Sequence, residues 1–557
     1  MPAYSNYGPL DSQPSPLSGG DRGFVGVNMR TTPELLPDGV AAKAVNKVFA
    51  NGEARTRRGM LELTAQRISA TILGAAVFSN PNGYEGLIVA TSSTCYSLRD
   101  GNTPVAVPLP SGTILSGDIS FVQAFDKVIM FRGIGLTPLE WDGDTGGDGF
   151  VEIAQSGSGT GTLAIPGSIN ATSFANRLFV PYKTGDRLDG ILVSDILDYT
   201  RYVPVLDEFR INFGTSDDLT RIFPYGQSVL VCFKTGSISY LRNVYADLAD
   251  VFAAEVTREV GLVAQNAVVQ LGSAVWFLGR GGLYKFVPGD QDKVELEGAT
   301  LSVPMQPFFD SLNWREIESA SMAVDEERIY IAVPYGLTAT TINAIAVYNH
   351  ITSQWEGYHT FPSGADCLSL VETLYLGKRR VWWVDRSGKF LILNEDLGYD
   401  WYGSTHTAIS DELLTRGYCA SNERKKFNQL TVGLETWGAS VTITAVANGP
   451  GEEQAITSSM AGSRTAYAID ATAYTLTNAN DDFANPYRGD YQIQAGDNFQ
   501  PRTGGYAEYH AEKLYRARLN KRANYLQLRV ASSQGSCVVT SAAVEGVEND
   551  RATLSYA

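Results

Sequence analysis

Three short stretches of this 557-residue sequence carry residue types that could do chemistry. Asp325, Glu326 and Glu327 stand side by side, and glycoside hydrolysis needs two carboxylates at a fixed separation. They directly precede the apolar run that starts at Arg328, where a turn between strands carries solvated acids as a matter of course. "WDGDTGGDGF" (141–150) offers Asp142, Asp144 and Asp148 to a calcium ion. The register fails, with Gly146 at the fifth position and Ile153 at the twelfth, where a bidentate Glu is needed. An Asp/Gly-rich turn is the better reading. "GRGGLYKF" (279–286) lies inside a hairpin pattern, with no following helix to offer a phosphate its N-terminus. His350, His359, His406 and His510 lack partners at catalytic spacing, and there is no GxSxG elbow. A sialidase would show Ser-x-Asp-x-Gly-x-x-Trp turns, and none is present. Cys95, Cys232, Cys367, Cys419 and Cys537 are far apart, form no CxxC, and read as free thiols of a chain folded in a reducing compartment. The sequence therefore predicts no catalytic residue, no cofactor and no metal.

The elements that would have to position such groups are strands. From about 73 to 400 one theme recurs: an apolar strand, a Gly-containing turn, a second strand alternating with aromatics or aliphatics, and an Asp/Asn-Gly-type turn. Instances are "GLIVATSSTCYSLRDG" (86–101), "SVLVCFKTGSISYLRN" (228–243), "AVWFLGRGGLYKFVPG" (274–289) and "RRVWWVDRSGKFLILNED" (379–396). The second strands begin near Tyr96, Leu139, Ile191, Ile238, Tyr284, Ile345 and Phe390, roughly 43 to 61 residues apart. Such a unit holds about four short strands, and the period is that of a propeller blade. One blade cannot bury both of its faces, whereas a closed ring can.

After Trp401 the pattern changes. "KFNQLTVGLETWGASVTITAVANG" (426–449) reads as a hairpin-like pair alternating at Val432, Leu434, Val441, Ile443 and Ala445, and 513–546 is a further run of strands. The fold class is all-β: a β-propeller of six or seven blades, a C-terminal β-sandwich-like domain, and an N-terminal arm with short helices. The expected divisions are 1–66 for the arm, 67–401 for the propeller and 402–557 for the sandwich, the last folding as a separate unit. The helices of the arm are a start at Thr32, Pro33 and Glu34, with an N-cap and then Pro at the first position, and a second over "DGVAAKAVNKVF" (38–49). The Pro/Ser/Gly-rich residues before it are ordered only if tied to their own domain or to a neighbouring subunit.

Composition narrows the partners. Asp and Glu total 60 against 44 Lys and Arg, a formal charge of −16, which opposes phosphate binding over the whole surface. It suits a soluble protein, or a wall that nucleic acid must pass without sticking. Basic residues cluster at "LGKRR" (376–380), "ERKKF" (423–427) and "YRARLNKR" (515–522), which read as solvated strand ends ahead of subunit contacts, and DNA contacts last. No apolar run approaches the ~18 residues of a membrane span. The opening residues lack the basic and apolar regions of a signal peptide, so the chain is expected to be made in the cytosol.

One segment fits none of the enzyme chemistries: "FVGVNMRTTPELLPDGVAAKAVNKVFANGEARTRRG" (24–59). Its pattern runs through Gly26, Asn28, Arg30, Pro33, Leu36, Pro37, Gly39 and Ala41. It continues through Ala44, Asn46, Phe49, Asn51 and Gly52 to Arg55, Arg57 and Gly59. It resembles the N-terminus of phage tail and virion proteins, among them the nozzle (tail hub) proteins of short-tailed phages, which combine a propeller with additional β-domains. The resemblance implies a virion structural protein, made in the host cytoplasm and located in the tail. It implies a hexameric ring that gates and conducts DNA during ejection without specific binding, and that meets adaptor or portal proteins and tail fibres or spikes. The residues expected at assembly contacts are Asn28, Arg30, Arg55, Arg57 and Arg58. Asn51-Gly52 supplies the φ > 0 pair of a type I′ hairpin, and alternation in the following strand puts Arg55 and Arg57 on one face. The competing reading is a receptor- or glycan-binding propeller module, for which a trimer is the usual assembly.

Overall fold

The computed structural model describes residues 16–547 with one long gap at 462–512. Shorter gaps fall at 80–84, 100–102, 145–146, 148, 155–162, 204–206, 213, 246–247, 289–293, 297–300, 396–397, 404, 422–423, 438–439, 449–452, 456–459 and 534–535. Almost all regular structure is β. The one α-helix among the described residues, Gln306–Asp310, is five residues long.

A β-propeller occupies the middle of the chain. Five four-stranded sheets in up-and-down order follow one another from Ile72–Ser79 to Val294–Leu296. Two further four-stranded units are built into larger sheets. One comprises Ser321–Val324, Arg328–Val333, Ala344–Asn349 and Gln354–Thr360. The other has Cys367–Tyr375, Lys378–Asp385 and Phe390–Glu395, and its fourth strand, Gly59–Glu62, comes from the other end of the propeller. The innermost strand of this last unit touches both Ser321–Val324 and Ile72–Ser79, which closes the ring. Middle strands such as Val229–Lys234 and Ala274–Gly279 are buried along their whole length, since both faces of a blade are covered by its neighbours. Phe78, Trp141 and Phe150, with ring centroids 5.9 Å apart in sequence, fill one such blade-to-blade core.

The second body is a β-sandwich whose two sheets draw strands from both ends of the chain. One sheet orders Lys513–Ala523, Lys425–Trp437, Ser536–Val547, Glu53–Thr56 and Lys47–Ala50, with Pro16–Asp21 also paired to Ser536–Val547. The other places Lys43–Val45, Asp411–Leu414, Leu526–Ser533, Ser440–Ala447 and Glu453–Ala455 side by side. Val432, Leu434, Val441, Ile443 and Ala445 are all buried, as alternation requires. The two strands that carry them, however, form no hairpin. Lys425–Trp437 lies in the first sheet and Ser440–Ala447 in the second, so their inward faces oppose each other across the core.

The expected helix over 38–49 is absent. Val40–Ala41, Lys43–Val45 and Lys47–Ala50 are strands, because their backbone groups find partners in Gly26–Val27, in Asp411–Leu414 and in Glu53–Thr56. At Thr32 the helix start yields a single 3-10 turn, Pro33–Leu35. The Asn51-Gly52 turn does form, with φ of 53° and 80° at its two residues.

Lys43–Val45 also pairs in parallel with Gln354–Thr360, so the second sandwich sheet and a propeller blade are one continuous sheet. In 20 residues, from 43 to 62, the chain thus serves both sandwich sheets and then the final blade.

Candidate functional site

The N-terminal motif residues converge where this continuous stretch passes between propeller and sandwich. Lys47 is inward-facing in its strand, and its ammonium is fully buried 3.0 Å from Asp411 Oδ1. It also donates to the Cys537 carbonyl (3.1 Å), while Thr56 donates to Asp411 Oδ2. One residue beyond the Glu53–Thr56 strand the alternation breaks. Ala54 and Thr56 are buried, Arg55 is half-exposed, and Arg57 is again buried, so Arg55 and Arg57 do not share a face.

Arg57 uses every donor of its guanidinium. A bidentate pair runs to Asp400, from Nη1 to Oδ1 (2.8 Å) and from Nη2 to Oδ2 (2.5 Å). Nε donates to Asn46 Oδ1 (3.0 Å), Nη1 to the Arg58 carbonyl (3.0 Å) and Nη2 to the Thr360 carbonyl (3.1 Å). The guanidinium carbon lies 4.9 Å from the centroid of the Phe361 ring. Side-chain exposure is 2% for Arg57 and 4% for Asp400, so this is a buried ion pair with its remaining valences filled. Asn46, at φ 53°, receives Arg57 on Oδ1 and gives its Nδ2 to Ser410 O (2.7 Å). The pair therefore clamps the N-terminal segment to the end of one blade, to the Tyr399–Tyr402 strand and to the start of the sandwich.

His359 is buried beside it, Nε2 3.3 Å from the Lys47 carbonyl. Burial first, and then the Arg57 charge, hold its pKa well below the ordinary value, so it is neutral. A second buried network fixes the first described strand. Asp21 accepts from Arg416 Nε (2.8 Å), Tyr418 Oη (2.8 Å) and the Gly39 amide (3.0 Å).

Arg55 and Arg58 lie at an open cleft. A volume of about 660 Å³ is bounded by the 48–58 hairpin, the 325–328 turn and Lys378–Asp385. Arg55, Arg58, Arg379 and Arg380 line it together with Asp325, Glu326, Glu327 and Glu372. Arg55 is paired with Glu53, and Arg379 lies 3.7 Å from Glu372. Arg328, on the same cleft, contacts Glu356 (3.0 Å), whose carboxyl burial pushes up against the pull of that guanidinium. Asn28 acts locally, its Oδ1 accepting the amides of Arg30 (3.1 Å) and Thr31 (3.0 Å), and Arg30 is exposed. Of the five residues expected at assembly contacts, Arg57 is thus withdrawn into its own chain. Arg30, Arg55 and Arg58 reach the surface.

The other candidates stay apart. Asp325 caps its turn, accepting the amides of Glu327 (2.9 Å) and Arg328 (2.7 Å) and the Tyr330 hydroxyl (2.6 Å). His350 meets the Glu326 carbonyl, and His406 lies against Tyr399 and Trp401. His510 and part of the 141–150 turn are outside the described residues. The five cysteines are free, and only Cys419 is incompletely buried. Among the described residues no group of three or more His, Cys, Asp or Glu is gathered to hold a metal ion, and no helix is long and apolar enough to cross a membrane.

Sequence reasoning marked Asn46 and Arg57 but missed Asp400, Lys47, Asp411 and Asp21. The available signal was Lys47 itself, a lysine on the same strand face as Phe49.

No family model matches the chain, and no curated protein matches it. Solved structures of low similarity do. BBS1N in complex with ARL6DN is 12% identical with a TM-score of 0.39, covering 61% of this chain and 98% of that one. The extracellular domain of the hybrid two-component system BT3049 from B. thetaiotaomicron is 12% identical with a TM-score of 0.40, covering 61% and 42%. A catalytically inactive virginiamycin B lyase from Staphylococcus aureus is 11% identical with a TM-score of 0.39, covering 60% and 99%.

Proposed function

We propose that this chain is a structural protein of a phage tail, a nozzle that assembles as a hexameric ring and conducts DNA during ejection. The observation that carries the reading is the use made of the 24–59 motif. Ala44, Asn46 and Arg57 of the motif join the propeller to the sandwich, through a continuous sheet and the buried Arg57–Asp400 pair. A ring wall under the load of passing DNA needs such a joint, because a hinge between propeller and sandwich would let the lumen deform.

Arg30, Arg55 and Arg58 remain as the motif residues for contact with a neighbouring copy, and the acidic surface supplies carboxylates to meet them. The lumen then lies between subunits. A formal charge of −16 per chain repels a polyanion within a Debye length of ~8 Å. Electron microscopy of the purified full chain tests this: class averages with six-fold symmetry and an open centre are expected. Compact three-fold particles without a lumen would instead favour a receptor- or glycan-binding module.

A further inference from the structure

The inner ends of the blades enclose a cavity of about 290 Å³ on the propeller axis, away from the motif residues. Its lining includes one cation without a counter-charge. Arg221, on the innermost strand Leu219–Tyr225, donates from Nη1 to the Gln265 carbonyl and lies 5.7 Å from the Phe223 ring. Among the described residues it has no carboxylate in salt-bridge range. Burial alone lowers its pKa to about 10, with no acid near enough to oppose it. Arg221 is partly exposed, into the cavity, and a guanidinium withdrawn from bulk water is costly unless paired. The Nη1 bond leaves the Nε/Nη2 edge, the planar fork that holds a carboxylate by two parallel hydrogen bonds.

A second, independent observation lies next to it. Asn170, 8% exposed, gives Nδ2 to the Thr220 carbonyl (2.8 Å) and to Gln265 Oε1 (3.2 Å), while its Oδ1 is buried with no hydrogen-bond partner. Arg221 and Asn170 are thus joined through Gln265, and both carry unmet hydrogen-bonding capacity at the same cavity. The acids of the lining do not meet it. Asp118 is exposed and 3.6 Å from Arg386, Glu372 is 3.7 Å from Arg379, and Glu318 is exposed.

We propose that this axial cavity is a binding site for a small carboxylate, held by the free edge of Arg221, with Asn170 Oδ1 accepting from a hydroxyl on the same molecule or from a water beside it. At about 290 Å³ the cavity is at the small end of ligand pockets, which start near ~300 Å³, so its occupant is a free small acid instead of a folded partner. Such a ligand would stiffen the ring from inside by touching several blades at once.

The experiment is calorimetric titration of the full chain with lactate, with inorganic phosphate and chloride as comparators. Saturable 1:1 binding of lactate is expected, weakened at least about tenfold in Arg221→Gln. Gln265→Glu guards against misfolding of that variant. It keeps the backbone carbonyl that Arg221 uses and puts a negative charge in the cavity beside Asn170, so it should weaken lactate binding by repulsion while the unliganded variant melts close to the wild type. Lactate binding that survives both substitutions, or no saturable binding by the wild type, would overturn the proposal. Phosphate or chloride binding as tightly as lactate would overturn the assignment to a carboxylate.

Discussion

Replacing Arg57 with methionine should strongly destabilise the junction. The substitution keeps much of the apolar stem and removes the guanidinium. It leaves Asp400, 4% exposed, with the Met60 amide (3.0 Å) in place of a bidentate cation. Breaking a buried pair by removing one partner costs about 3–5 kcal/mol. The orphaned Asn46 side chain and Thr360 carbonyl add to the loss without being strictly additive. Arg55→Ala is the control: its partner Glu53 is two residues away and both side chains are about a quarter exposed, so ~0–1 kcal/mol is expected. The assay is urea unfolding followed by tryptophan fluorescence, with Trp383 packed on Phe361 at 4.6 Å as a local reporter. Arg57→Met with Asp400→Leu should recover much of the loss, since no charge is then stranded. If Arg57→Met unfolds at the same denaturant concentration as Arg55→Ala, the buried pair contributes nothing to the junction's stability.

Three further outcomes follow from the same structure. His359 stays neutral when folded but takes a proton near pH 6.5 when unfolded. Its contribution is therefore intact above about pH 6.5 and is lost as pH falls below it, by up to ~1.4 kcal/mol per pH unit; His359→Gln should show a shallower acid decline in stability. A fragment of 402–557 lacks Lys43–Val45, Lys47–Ala50 and Glu53–Thr56, and should show no cooperative unfolding by circular dichroism, whereas the same fragment with residues 40–58 supplied as a fused segment should. The full chain should bind duplex DNA only weakly at ~0.15 M salt; tight, salt-sensitive binding lost in Arg55→Ala with Arg58→Ala would make the cleft a nucleic-acid clamp.

Local rules explain what was legible in the sequence. The repeated strand-turn-strand pattern carried the propeller, because each blade is built from neighbouring strands. The Asn51-Gly52 turn and the alternation from Val432 to Ala445 could be read from a few residues each. The segment 38–49 could not. Its alanines and spacing suit a helix, yet its three strands pair with Gly26–Val27, with Glu53–Thr56 and, more than 350 residues away, with Asp411–Leu414, and that pairing overrides propensity. The exchange of strands between the two sandwich sheets was hidden for the same reason, since alternation reports which residues are buried and not which sheet they join. Arg57 shows the limit at the site. Its partner Asp400 is 343 residues away, and nothing within the motif separates the buried arginine from its partly exposed neighbours Arg55 and Arg58. The break in alternation after Thr56 appears only once the sandwich core is in place.

The ring wall proposed for this chain is an assembly of six copies. Native mass spectrometry of the full-length protein, at the concentrations reached in assembled particles and near-physiological salt, tests it most directly. A closed species of six chain masses is predicted, reduced to smaller species when Arg30, Arg55 and Arg58 are replaced together by glutamate. A chain that stays monomeric across the concentration series, or that closes as a trimer, would contradict it.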